Sequence, residues 1–303
     1  VSDGSEVRDV SGDARNGHES DNARQTQRVR PSAVAGTWYP GTAASLINAV
    51  DRLLAGPAEH TVERPGDLTA LIAPHAGLRY SGPVAACAYR LMRQCAVDLV
   101  VLVGPSHFVG FEGVAAYRSG SFETPMGLVR VDEDAAAALM RSTAIVREHD
   151  VAHTREHSLE MQLPFLQRVA PGVPMLPLVM GFQTDATVRA LADGLAATLA
   201  GRRSLLIASS DLSHYHPADE AVRLDRVVLD LVSQLDADGL QEALDANPEH
   251  ACGGGPMVAV MRTAKQLGAT GATLLQYADS GDISGDKSSV VGYMAAAIGR
   301  FPS

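Results

Sequence analysis

Apolar runs of strand length alternate along the chain with stretches whose apolar residues recur at helical spacing. The runs are 68-LTALIAP-74, 98-DLVVLVGP-105, 174-PMLPLVMG-181, 204-SLLIASS-210 and 272-ATLLQYA-278. Between them a period near 3.6 residues predicts helices over 83–94, 157–170, 184–200 and 218–235. This alternation predicts an α/β fold with a largely parallel central sheet flanked by helices. A hairpin-like patch over 112–132 and a late apolar segment over 289–299 predict extra strands at an edge or in antiparallel additions. No internal repeat interrupts the pattern, so a single domain is expected over 31–303. Residues 1–30 have mixed charge, no aromatic residue and no apolar run, and are expected to form a disordered leader.

Composition narrows the class. A chain of 303 residues, 46% hydrophobic and 20% charged, can bury a full core without covalent staples. Its three cysteines, Cys87, Cys95 and Cys252, form no CxxC pair, which argues against a disulfide framework and a structural zinc knuckle and fits a reducing cytoplasm. A net charge of -10 and a pI near 5.4 provide no basic footprint for nucleic acid or an anionic membrane. No apolar stretch has the length of a secretory signal or a membrane span. The expected partner is a small molecule or another protein.

Candidate chemistry gathers at the strand exits. His75 follows ALIAP, His107 follows VVLVGPS, and Asp211 and His214 follow LLIASS. In an open α/β sheet the carboxyl ends of the strands share one edge, and ligands bind in the crevice outside it. Cys252, in 250-HACGGGPM-257, precedes a glycine run and a helix, a setting that favours a thiolate. Taken singly, each residue also reads as a loop residue, a helix cap or a small buried side chain. Together, imidazole and sulfur form a donor set for iron, copper or zinc, whereas calcium and magnesium prefer oxygen. Glu156, His157 and Glu160 read as a capped, half-exposed helix start, with Glu156 or His157 lining the cleft as the second reading. The run 279-DSGDISGDKSS-289 reads as a mobile loop or lid whose aspartates are turn residues.

Seven segments, in order, carry a resemblance: IAPHAGLRYSG, LVGPSHF, FETPMGLVRVD, EHSLEMQLPFLQ, ASSDLSHY, ACGGGPM and YADSGDISGDKSSVVGY. Across about residues 31–300 the chain resembles the microbial form of the Memo family, whose fold is similar to that of class III extradiol dioxygenases. The resemblance implies metal ligation by His75, His107 and Cys252, with Cys252 where those dioxygenases have a carboxylate. It implies His214 as the acid/base and Asp211 as its orienting or substrate-contacting neighbour; Glu156, His157, Arg79 and Tyr80 are further candidates for the pocket lining. Iron(II) is the first expectation for the cofactor, with copper or zinc as alternatives, and the expected activity is that of a dioxygenase-like oxidoreductase on a small, aromatic substrate. A thiolate in place of the carboxylate is softer and more oxidisable, which sets this site apart from the ring-cleaving enzymes. Two other readings remain open. One is a metal-binding or scaffold protein working with AMMECR-type and radical-SAM partners; the other is a cysteine or zinc hydrolase using Cys252 with His214.

Overall fold

The computed structural model describes residues 1, 28–56 and 64–302. The elements run β1 (Val29–Arg30), α1 (Ala43–Leu54), β2 (Asp67–Ala73), α2 (Leu78–Met92), β3 (Leu99–Pro105), β4 (Val114–Ala116), β5 (Ser121–Thr124), β6 (Gly127–Arg130), α3 (Glu133–Ser142) and β7 (Val146–Glu148). They continue with α4 (Asp150–Thr154), a 3₁₀ turn over Glu160–Gln162, α5 (Leu163–Val169), β8 (Met175–Met180), α6 (Asp185–Leu199), β9 (Ser204–Ser209) and β10 (His214–His216). The chain closes with α7 (Ala218–Ser233), α8 (Ala237–Ala246), α9 (Gly254–Gln266), β11 (Gly271–Asp279), α10 (Gly281–Ser284) and β12 (Val290–Arg300).

The main sheet has the order β10-β12-β2-β9-β3-β8-β4-β7, with β11 paired to β12. Its centre, β2-β9-β3-β8, is parallel. All seven residues of β3 are buried, as expected of a parallel strand covered on both faces. One core lies under α3 and α6 to α9, and the other under α1, α2 and α5. Burying each Leu or Ile of these strands contributes about 1.5–3 kcal/mol relative to exposure. The fold is therefore a single α/β unit with a mixed, largely parallel sheet, and none of its described helices is long and apolar enough to cross a membrane.

Several expectations change in detail. The run at 272–278 is strand β11, but it lies antiparallel on β12 instead of joining the parallel centre. An apolar run does not encode strand direction. The 289–299 segment is β12, an eleven-residue antiparallel strand, and the 112–132 patch splits between β4 in the main sheet and the β5–β6 hairpin of a separate sheet with β1. Helix α2 starts at Leu78, ahead of the expected 83, because Leu78 is buried in the core. The expected lid at 279–289 is tied down: Lys287 Nζ contacts Asp279 Oδ1 at 2.7 Å and Asp282 Oδ1 at 2.6 Å, and Asp279 is buried.

The helix expected over 157–170 begins only at Leu163, and its first residues are buried instead of half-exposed. The reason is that Glu160 works outside its own segment. Its carboxylate accepts hydrogen bonds from Ala33 N at 2.7 Å, Val34 N at 3.0 Å and Tyr39 Oη at 2.6 Å, and pairs with the Arg30 guanidinium. Residues 28–30, read as the end of the leader, thus belong to the fold; residues 2–27 lie outside the described residues. Glu160→Ala strands the buried Arg30 charge and is expected to cost about 3–5 kcal/mol. Urea denaturation checks this, and a loss below about 1 kcal/mol would show that the pair is not a structural anchor.

Candidate metal centre

The order β2-β9-β3 places three strand exits side by side. His75 leaves β2, His107 leaves β3, and the 209-SSDLSH-214 segment leaves β9 between them. Cys252 arrives from the other side, just ahead of α9, and its N–H reaches the Asp211 carbonyl at 3.3 Å. His75, His107 and Cys252 each present one ligand atom, all within 4.8 Å of one another. Cys252 Sγ lies 3.3 Å from His75 Nε2. Nitrogen and sulfur ligands on one tetrahedral ion, with bonds of about 2.1 and 2.3 Å, would stand about 3.6 Å apart. The spacing therefore needs little adjustment to receive a metal.

The hydrogen bonds behind the imidazoles fix their tautomers. The hydroxyl of Ser209 gives its proton to the Ser158 carbonyl at 2.6 Å, so at 2.9 Å from His75 Nδ1 it accepts. His75 therefore carries Nδ1–H and leaves the Nε2 lone pair toward Cys252. Gln162 Nε2 donates to the same Ser209 hydroxyl at 2.7 Å, and its Oε1 accepts from the Tyr89 hydroxyl at 2.7 Å. His107 is held twice by Glu156, through its backbone N–H at 2.6 Å and through Nδ1 at 2.8 Å. A carboxylate can only accept, so His107 also carries Nδ1–H, with Nε2 left for a metal.

The electrostatics suit neutral imidazole ligands. Burial, aided by the nearby His107, drives His75 well below the usual histidine range, and burial with His75 close by takes His157 down to about 4. Burial alone would raise Glu156, but the hydrogen bond from His107 and backbone N–H groups overcome it and hold the carboxyl at about 2. Burial and the neighbouring Asp211 push the Cys252 thiol up. An incoming cation supplies the positive charge that this thiol lacks, and a coordinating thiol loses its proton. The donor set thus fits a transition metal.

The remaining expected residues take distinct places. Asp211 is buried, and its carboxylate accepts from the backbone N–H of His75 at 2.7 Å and Ala76 at 3.3 Å. It positions the His75 turn and does not set the His214 tautomer. That is done by the Leu212 carbonyl, 2.8 Å from His214 Nδ1. His157 is buried between Trp38, with ring centroids 4.3 Å apart, and His107, at 4.5 Å. Its Nδ1 makes no hydrogen bond among the described residues and lies 3.6 Å from Glu156 Oε1. Arg79 and Tyr80 are exposed on α2, with the guanidinium 5.8 Å from the Tyr80 ring. Ser209 and Gln162, which lock His75, were missed. The only sequence signal was the hydroxyl two residues ahead of Asp211, which has no pattern of its own.

Comparison with known proteins identifies the family. Residues 30–297 match the family model described as Memo-like protein. A MEMO1 family protein of Ignicoccus hospitalis is 40% identical over 285 residues, covering 90% of this chain and 99% of its own length. One from Methanopyrus kandleri is 37% identical over 280 residues, with 89% and 99% covered, and one from Nitrosopumilus maritimus is 35% identical over 271, with 88% and 98%. Among solved structures, an uncharacterized protein from Escherichia coli K12 aligns with TM-score 0.48 and 16% identity over 75% of this chain and 99% of that one. On the extent of the family match and the identity to these relatives, the chain belongs to the Memo-like family.

Proposed function

We propose that this chain is a metal-dependent oxidoreductase in which His75, His107 and Cys252 hold one transition-metal ion, iron(II) in the first instance and copper or zinc as competitors. The substrate is a small, aromatic molecule admitted to the cleft outside the strand ends. One observation carries the reading: three donors from three distant segments lie within 4.8 Å, with Nδ1 of both imidazoles engaged by Ser209 and Glu156 so that Nε2 is left for a metal. When bound, such an ion supplies an electrophilic centre with open positions for a chelating substrate and dioxygen.

The chain's own residues supply the rest. Ser209 and Glu156 keep the two imidazoles in the metal-binding tautomer and orientation. Asp211 holds the His75 turn through its backbone N–H groups. His214, with Nδ1–H committed to Leu212, has Nε2 available to take or give a proton. The hydrolase reading loses support. Cys252 contacts His75, not His214, and two of the glycine N–H groups needed for an oxyanion hole are occupied, Gly253 N by Ser210 Oγ at 2.9 Å and Gly255 N by Gln183 Oε1 at 2.6 Å.

Anaerobically prepared protein loaded with iron(II) or copper is expected to retain one ion per chain after dialysis. His75→Ala, His107→Ala and Cys252→Ala should each lose it; retention by all three variants would refute the site. Glu156→Gln keeps the size but weakens the hold on His107, and should lower metal affinity about 10–100-fold in a chelator competition. An unchanged affinity would remove Glu156 from the site. Oxygen uptake is expected from the metal-loaded protein with at least one member of a panel of aromatic diols and aminophenols, and should be lost in His214→Ala with metal retained. Retained metal with no uptake on any of them would instead favour a metal-binding protein without turnover.

A further inference from the structure

Next to the metal centre lies a cavity of about 430 Å³ that no step above uses. Its size falls within the range of small-molecule sites, about 300–1,000 Å³. Trp38, Tyr39, Pro40, Leu53 and Leu78 give it apolar walls, and Arg52 and Arg79 are the only charged residues that line it. The lining contains no carboxylate. Neither guanidinium forms an ion pair or hydrogen bond with another described residue, and Arg79 only approaches the Tyr80 ring. The nearest acid in sequence, Asp51, is already taken by Arg168 through two contacts at 2.8 and 2.9 Å.

The cavity is also built firmly. The turn that carries Trp38 is closed by Gly36 N to Tyr39 O at 2.8 Å and Trp38 N to Val34 O at 2.9 Å. It is tied to α2 by Leu78 N to Trp38 O at 2.8 Å and to Glu160 through Val34 N and Tyr39 Oη. Trp38 is 38% exposed, and its ring stands 4.3 Å from His157, which in turn stacks on His107. One aromatic wall therefore separates the cavity from the metal donors.

The geometry points to a binding site for a small organic anion, a planar apolar body bearing one carboxylate, which rests against Trp38 and directs its charge to Arg52 and Arg79. Guanidinium groups match a carboxylate in shape and charge, and the walls suit an aryl or other flat apolar body. This inference stands apart from the metal reading, because the cavity walls and both arginines are independent of the donor set.

The chain's single tryptophan makes the test direct. The 303-residue chain, stripped of metal with chelator, is titrated with benzoate and phenylacetate while Trp38 emission is followed, and calorimetry provides a second readout. Benzyl alcohol serves as the neutral analogue and inorganic phosphate as an anion without an apolar body. A saturable change with the carboxylates is expected, weaker at high salt and much smaller with either control. Arg52→Gln and Arg79→Gln should each weaken binding about tenfold, and the double variant should abolish it, with unchanged thermal melts. The proposal is overturned by no saturable change up to millimolar carboxylate, by equal binding of benzyl alcohol or phosphate, or by undiminished binding in the double variant. Repeating the titration on metal-loaded protein separates this site from the metal: a proper cavity ligand binds in both states. Carboxylate binding that appears only with metal present would locate the ligand on the ion and overturn the cavity assignment.

Discussion

The carboxylate of Glu156 is the point from which the site is organised. Buried beside the exit of β3, it accepts hydrogen bonds from His107 N and Nδ1 at 2.6 and 2.8 Å and from the N–H groups of His157 and Ser158, each at 2.9 Å. A buried carboxylate without such donors would take up a proton, and each charge-assisted bond contributes about 1.5–3 kcal/mol. One group thereby fixes the backbone and ring of His107, the chain direction at His157, and the position of Ser158, whose carbonyl takes the Ser209 proton. Both imidazole tautomers thus depend on this short segment, one directly and one through Ser158 and Ser209.

Four residues on, Glu160 does the same for the opposite wall. It draws in the N-terminal strand through Arg30 and the Trp38 turn through Ala33, Val34 and Tyr39. The two carboxylates connect the candidate donors and the aromatic cavity to one short length of chain. Burial makes that arrangement demanding, since each lost partner would leave a charged or polar group in the core. The parallel centre of the sheet supplies the rest of the geometry: β9 lies between β2 and β3, so the exits of all three open on the same crevice.

Much of this was legible in the sequence. The apolar runs that became β2, β3, β8 and β9 and the periods that became α6 and α7 rest on local patterning, which a fully buried strand and an amphipathic helix both display. His75 and His107 stood out because polar residues at strand exits break an otherwise apolar stretch, and Cys252 because it precedes a glycine run and a helix. The first reading of the 156–160 segment, a half-exposed helix start, fails because glutamates at such spacing look like an exposed helix face, whereas Glu156, His157 and Glu160 are buried. Their actual partners are distant: Arg30 is 130 residues from Glu160, and His107 is 49 from Glu156. Ser209 was hidden for a related reason, since a hydroxyl that fixes a tautomer leaves no periodic mark. Strand direction, as in β11, depends on the connection and the partner, not on the residues of the strand.

X-ray absorption at the metal edge of the iron-loaded protein tests the central claim most directly. The account predicts two imidazole nitrogens at about 2.1 Å and one sulfur at about 2.3 Å, with the sulfur shell absent from any metal that Cys252→Ser still holds. A shell of nitrogen and oxygen alone with Cys252 intact, or a sulfur shell that survives Cys252→Ser, would contradict it.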